Sequence, residues 1–395
     1  MTSPFERPVV ARIREALGHR KQLLQIVIGP RQTGKTTAAQ AVAEQWKGPT
    51  RYAAADVSPP PGPEWIQTQW ELARSDARKA TALLVLDEVQ MVRGWSEAVK
   101  ACWDDDRRHR RRVQVLLLGS SALLLTRGAN ESLAGRFYLH RCLHWSYEEC
   151  RVAFGWSLDT WIYYGGYPGA APLVRDHSVW RNYILDSLIE TVLARDVLGV
   201  QTVTKPTLLR HLFGLAAELP AQSVSYTKML GQLQDAGNTV TLAHYLRLLE
   251  SAFLVSGLER FSAGKARVRG SSPKLIFWNN ALVTAPSRIP RREARKDAAR
   301  WGRLVENAVG AHLLNRLQSF PYEITWWRDR HDEVDFVVRG PRHLWAREVK
   351  SGRPGALRGM EAFLRKYPEA RPLLVGEGGM ALEEFFRTDP GEILT

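Results

Sequence analysis

The sequence predicts an α/β protein with a parallel-sheet core in its N-terminal part, and three observations carry that expectation. Leu23 to Ile28, Ala80 to Glu88 and Val113 to Ser121 hold short apolar runs of the kind that form strands buried on both faces. Segments of helical composition, Thr37 to Trp46 and Trp65 to Ala77, stand between them. Between the first run and the first helix lies Gly29-Pro-Arg-Gln-Thr-Gly-Lys-Thr36, a complete G-x-x-x-x-G-K-T sequence in strand–loop–helix surroundings.

The residue types of that loop match phosphate binding. Gly29 and Gly34 allow a tight turn whose backbone N–H groups point inward at phosphate oxygens. The helix that follows adds the positive end of its dipole. Lys35 has the reach to meet β- and γ-phosphates, and the Thr36 hydroxyl is a Mg²⁺ ligand. A ligand-free strand–helix turn is the alternative, and the agreement of both flanks weighs against it. ATP with Mg²⁺ is therefore the expected cofactor pair. Gly29, Pro30, Arg31, Gln32, Thr33, Gly34, Lys35, Thr36 and Thr37 are the residues expected around it.

Composition sets outer limits. A chain of 395 residues exceeds one ordinary core, so two or three domains are expected. Its 45% apolar and 24% charged residues are those of a globular protein, and no apolar run reaches membrane-spanning length. Met1 to Arg14 lacks the apolar centre of a signal peptide. Cys102, Cys142 and Cys150 show neither metal spacing nor a disulfide framework, which fits a reduced cytoplasm. The net charge of +14 makes a polyanion, DNA ahead of RNA, the macromolecular partner to expect. Arginine-rich, GC-rich coding explains the same excess without any partner.

Taken in order, Pro8 to Leu17 is an amphipathic helix ahead of the first strand, and Thr50 to Asp56 is a second strand. Ser58 to Pro63 is a loop. Ala80 to Glu88 ends in two carboxylates at the C-terminal end of a buried strand, the end where open α/β sheets bind ligands. Asp87 is the candidate Mg²⁺ ligand and Glu88 the group that orients and deprotonates the attacking water. Two buried adjacent carboxylates are costly unless they face a cation. Ser120 or Ser121, ending the next strand, can sense the γ-phosphate or cap the following helix. Asp104 to Arg112 reads as a solvated helix end.

These elements, with Leu133-Ala-Gly-Arg136, His144-Trp-Ser-Tyr-Glu-Glu149 and Tyr164-Gly-Gly-Tyr-Pro-Gly169, together resemble a large bacterial and archaeal family of AAA+ ATPases with a C-terminal domain of unknown function. The resemblance implies a RecA-like P-loop NTPase core over residues 1–155 and a helical lid over 156–200. It further implies a winged-helix-like segment over 201–262 and a restriction-endonuclease-like α/β domain over 263–395. Arg136 matches the family's Gly-Arg position, so it takes a γ-phosphate or subunit-interface role, or forms an ordinary salt bridge. Relatives in the family often form rings, which makes a homo-oligomer an implied partner.

Leu158 to Leu198 reads as mostly helical, interrupted at Gly165-Gly166 and Pro168. Pro206 to Leu219, Ser225 to Leu230 and Thr239 to Glu250 follow as helices, and Phe253 to Leu258 as a strand of a wing. That layout reads DNA or packs domains together; the recognition-like helix offers only Thr241, His244 and Arg247. Ser287 to Arg300 is basic and poor in apolar residues, and reads as a mobile loop.

The helix Trp301 to Leu317 carries Glu306, and strands Glu323 to Trp327, Glu333 to Val338 and Leu344 to Lys350 follow, the first two joined by a turn over Arg328 to Asp332. Alternation puts Glu348 and Lys350 on one strand face, within reach of Asp335. This set resembles the PD-(D/E)XK nuclease core. Asp335 and Glu348 would bind Mg²⁺ with Glu306 assisting, and Lys350 would activate water or stabilise charge. An inactive, salt-bridged relic accounts for the same residues. After Lys274-Leu-Ile-Phe277 the family pattern usually has an acid where this chain has Asn279, which weakens any role that acid has in metal binding or packing. The combined expectation is a Mg²⁺-dependent ATPase acting on or regulated by DNA through a nuclease-like domain. The alternative is an ATP-binding regulatory switch whose C-terminal domain binds a partner without cutting.

Overall fold

The computed structural model describes residues 5–19, 23–78, 80–119, 132–198, 203–233, 237–262, 272–317, 321–352 and 357–394. The chain divides into two compact units, Met1–Leu143 and His144–Thr395.

In the first unit five parallel strands line up as β2-β3-β4-β1-β5: β1 is Leu24–Ile28, β2 Thr50–Ala54, β3 Ala82–Asp87, β4 Val113–Gly119 and β5 Phe137–Arg141. Among the described residues, helices α1 Pro8–Gly18, α2 Lys35–Glu44, α3 Pro63–Asp76 and α4 Trp95–His109 flank the sheet. The apolar runs are continuous because both faces are covered. Ile26, Leu84, Leu86 and Leu117 pack with Ile66, Trp70 and Val99 of α3 and α4. Their strand neighbours Val27, Leu83, Val85 and Leu116 pack with Ile13, Ala38 and Ala39 of α1 and α2.

The second unit holds a two-stranded and a four-stranded sheet. In the first, β6 (Val255–Leu258) pairs antiparallel with β7 (Lys274–Phe277), so the strand expected after the third helix has a partner. In the second the order is β11-β10-β9-β8, with β8 Glu323–Asp329, β9 Asp332–Arg339, β10 Leu344–Lys350 and β11 Arg371–Gly376. β8, β9 and β10 are antiparallel neighbours, and β11 joins β10 in parallel. The turn between β8 and β9 is tighter than the sequence suggests, tipping over at Arg330, whose φ is +52°. The helices expected at Pro206, Ser225 and Thr239 are present as Pro206–Glu218, Tyr226–Gln232 and Thr239–Ser251; Ser225 and Asn238 cap the second and third.

One expectation is corrected. Ser287 to Arg300 is not a loop but largely helical, as Arg291–Lys296 and the start of Ala298–Arg316. Pro290 leads into the first helix, and the Asp297 carboxylate accepts from Ala299 and Arg300 N–H to start the second. Ala294 is buried and Arg295 lies over Trp301 at 4.9 Å, so the basic residues are the outer face of packed helices. On β10, Arg347 is fully buried beneath Phe385, and none of its guanidinium nitrogens has a hydrogen-bond partner among the described residues.

Candidate functional site

The loop after β1 is shaped by close approach and by left-handed backbone. A Cβ on Gly29 would meet the Cys142 carbonyl oxygen at 2.1 Å, so only glycine lets the loop pass. Gln32 and Gly34 have φ of +59° and +89°, which turns successive backbone N–H groups to one side ahead of α2. Thr33 ties the loop down: its hydroxyl donates to the Pro30 and Cys142 carbonyls, both at 2.9 Å. Arg7 grips it from outside, donating to Thr33 O at 2.8 Å and Leu143 O at 3.1 Å. The Lys35 ammonium lies along the rim, donating to Gly29 O at 3.0 Å and Pro30 O at 2.7 Å.

Asp87 ends β3 beside this loop. Its Oδ2 accepts from the Thr36 hydroxyl at 2.8 Å and from the Tyr52 hydroxyl, while Oδ1 accepts from the Glu88 N–H at 2.8 Å. Burial, and then the hydrogen bond to Asp87, raises the Tyr52 phenol above its ordinary pKa. A hydroxyl and a carboxylate oxygen meeting at the first turn of α2 form the hard-oxygen donor set that Mg²⁺ takes, so Thr36 and Asp87 fit that ion. Glu88 adopts left-handed backbone, φ +50° and ψ +37°, uncommon for a residue with a side chain, and its carboxylate accepts from the Gln90 amide.

A second cluster lies in the other unit. Gly310 on helix Ala298–Arg316 lets that helix approach closely: a Cβ there would meet Ile276 at 2.8 Å and Phe336 at 2.9 Å. One turn earlier on the same helix, Glu306 faces the start of β7. There the ammonium of Lys274 lies 2.6 Å from Glu306 Oε1, 3.3 Å from Asp335 Oδ1 and 3.4 Å from Glu333 Oε1. It also donates to the Asp335 carbonyl at 3.2 Å. Asp335 Oδ2 accepts from the Val349 N–H at 2.9 Å, and Glu348 Oε1 pairs with Lys350 at 2.7 Å. Burial works against the charge of Lys274, but the attraction of Glu306, Asp335 and Glu333 outweighs it and holds the pKa above its ordinary value. Burial, and then repulsion from Asp335, pushes Glu306 and Glu348 up to about 7. Among the described residues no three His, Cys, Asp or Glu side chains are arranged to hold a metal ion.

Comparison with known families bears on the first cluster. Residues 21–151 match the model of an AAA domain, spanning the loop, Asp87 and all five strands. This part of the chain, a parallel-sheet P-loop unit, is thus similar to AAA domains. Residues 155–293 and 301–386 match two domains of unknown function, DUF8612 and DUF4143. Among proteins of curated function none matches. Of solved structures, the Thermotoga maritima RuvB Holliday junction branch migration motor is 13% identical, with TM-score 0.34, covering 66% of this chain and 91% of its own. A katanin structure on the basis of self-assembly is 17% identical, with TM-score 0.27, covering 38% of this chain and 64% of its own.

Within residues 21–151, Lys35, Thr36, Asp87 and Glu88 fall on one edge of the sheet, at the C-terminal ends of β1 and β3. Ser120 and Ser121 lie outside the described residues. Arg136 is at the other end: it immediately precedes β5, whose first residue pairs in parallel with Leu24, so the length of β1 separates it from the loop of its own chain. Its guanidinium pairs with Asp104 at 3.1 Å and lies over Trp103, which is the salt-bridge role and not contact with a γ-phosphate in the same chain. Glu306, Asp335, Glu348 and Lys350 do converge. Asn279 has a packing role instead: its side-chain oxygen accepts from Gly166 N–H at 3.3 Å and Ala281 N–H at 3.0 Å.

Sequence reasoning missed Tyr52, Arg7 and Lys274. Tyr52 carried a faint signal, since period two along β2 puts it on the same face as Ala54, whose register partner is Asp87. Arg7 and Lys274 carried none, because each acts through chain segments remote in sequence.

Proposed function

We propose that the chain is a Mg²⁺-dependent ATP hydrolase whose turnover is regulated by DNA held through its C-terminal unit. One observation supports the first half: Lys35, Thr36 and Asp87 converge on a glycine loop held by close approach and by hydrogen bonds to its own carbonyls. Bound ATP would draw the Lys35 ammonium from the two carbonyls it now caps to the β- and γ-phosphate oxygens. Thr36 and Asp87 would hold Mg²⁺, which supplies charge neutralisation at those oxygens. Glu88 would take the proton of the attacking water, and Gln90 orients its carboxylate. The net charge of +14 supports a polyanionic partner, for which DNA is our reading.

A second reading keeps the ATP chemistry and makes the C-terminal unit a partner-holding switch that does not cut. It is favoured by the ammonium of Lys274 standing among Glu306, Glu333 and Asp335. Phosphate release by the purified chain, with Mg²⁺ and with or without DNA, tests the first reading. Lys35→Ala retaining full turnover would defeat the ATPase assignment, and DNA leaving the rate unchanged would defeat the regulatory half. Following the same DNA for Asp335-dependent nicks separates cutting from holding.

A further inference from the structure

We infer that the Lys274 ammonium is a built-in cation standing where resemblance to metal-dependent nucleases puts a divalent ion, and that the C-terminal centre is closed to such an ion while Lys274 is in place. Four oxygens surround the ammonium: Glu306 Oε1 at 2.6 Å, the Asp335 carbonyl at 3.2 Å, Asp335 Oδ1 at 3.3 Å and Glu333 Oε1 at 3.4 Å. Mg²⁺ or Ca²⁺ needs its oxygens at about 2.0–2.6 Å. An ion that close to Glu306 Oε1 and Asp335 Oδ1 would press against the ammonium already bridging them, a like charge in a buried pocket.

The remaining donor atoms are also engaged. Asp335 Oδ2 accepts from the Val349 N–H, Glu348 Oε1 from Lys350, Glu306 Oε2 from Arg303, and Glu333 Oε2 from Arg328. Among the described residues Glu348 Oε2 and Glu306 Oε1 are buried without a hydrogen-bond partner, and Glu306 Oε1 is instead in ion-pair contact with Lys274. The charges balance: Glu306, Glu333, Asp335 and Glu348 face Lys274, Lys350, Arg303 and Arg328. A divalent ion brings two further positive charges to a cluster that has no deficit.

Lys274 is also fixed in place. Its side chain is fully buried, its backbone is paired with Leu258 and Ser223, and the Phe336 ring lies 5.2 Å from the ammonium. Swinging it out would leave Glu306 Oε1 and Asp335 Oδ1 without the ammonium that bridges them. Replacing it with an uncharged side chain of similar length leaves the same carboxylates short of positive charge, the condition under which a divalent ion is taken up.

The inference deepens the non-cutting reading of this unit, and the two fail separately. Bound Mn²⁺ is counted by electron paramagnetic resonance in the nucleotide-free full-length chain, for the wild type, Asp335→Asn, Lys274→Met and Lys274→Met/Asp335→Asn. The wild type and Asp335→Asn are expected to bind equal numbers of ions. Lys274→Met is expected to bind one more per chain, and the double variant to lose it. A wild-type ion that disappears in Asp335→Asn overturns the inference even if Lys274→Met fails to fold, and a folded Lys274→Met with no added ion overturns it too. DNA assayed alongside keeps the readings apart. Wild-type binding of Mn²⁺ without nicking defeats the closed centre but not the non-cutting reading. Equal ion counts with Asp335-dependent nicking defeat the non-cutting reading while leaving the centre closed to Mn²⁺.

Discussion

The two lysine–carboxylate clusters use nearly the same residue types in opposite ways. At the loop after β1, Lys35 donates to two backbone carbonyls while Asp87 accepts from hydroxyls and a backbone N–H. In the C-terminal unit Lys274 is buried directly against the carboxylates. On the function proposed above, the first arrangement would hand its lysine and its carboxylate to a nucleotide and its metal. The second is complete as it stands. Which side chains are present says little about activity until it is known which of them have already satisfied one another.

The sharpest break between the clusters should come from removing each lysine. Lys35→Ala should lower ATP turnover by at least about a hundredfold, as loss of a group that stabilises transition-state charge does, with the thermal midpoint little changed. Lys274→Met should instead cost about 3–5 kcal/mol of stability in urea unfolding, because it leaves buried carboxylates without their partner. Equal stability losses in the two variants would erase the distinction. Glu88→Gln should bind ATP as tightly as the wild type, by nucleotide fluorescence, while losing about a hundredfold in turnover.

Acid should separate the units next. Burial, then the charge of Arg12, lowers His140 to about 4, so the folded state resists its protonation and stability falls as pH drops below the unfolded value of 6.5. Between pH 7 and 5 that loss is about 2 kcal/mol. Glu348 works the other way: its folded pKa lies above its unfolded one, so the folded state takes up the proton more readily and stability is gained as pH falls from about 7. His140→Asn should therefore flatten the acid loss in urea titrations, and Glu348→Gln should steepen it. The smallest effect belongs to Tyr52→Phe, which should raise the Mg²⁺ needed for half-maximal turnover by about tenfold or less without changing the maximal rate.

Much of the first unit was legible in the sequence because its signals are local. Buried parallel strands need unbroken apolar runs, and a phosphate loop needs its glycines, lysine and threonine at fixed spacing, so Gly29, Lys35, Thr36 and Asp87 could be named in advance. Strands β8, β9 and β10 were equally readable and β11 was not, and alternation along β10 brought Glu348 and Lys350 to one face. What the sequence hid is contact across distance. Lys274 opens a strand, a position where a charge ordinarily meets water, and its burial depends on Glu306 and Asp335 arriving from another helix and another sheet. The basic stretch after Ser287 misled for a related reason: low apolar content reads as loop, whereas one buried alanine, the stacking of Arg295 on Trp301 and polar contacts to Asp159, Thr160 and Tyr163 pack its short helices.

Arg347 carries a last consequence. A guanidinium enclosed beneath Phe385 with no hydrogen-bond partner among the described residues is held away from water that would welcome it. Helix Leu382–Arg387 supplies that cover, so its departure returns hydration worth several kcal/mol to the charge and offsets much of the packing lost. That gain lowers the cost of opening this helix relative to the strands it covers. Native-state hydrogen exchange should find the amides of this helix unlocking well below the free energy of global unfolding, while those of β9 and β10 stay shut.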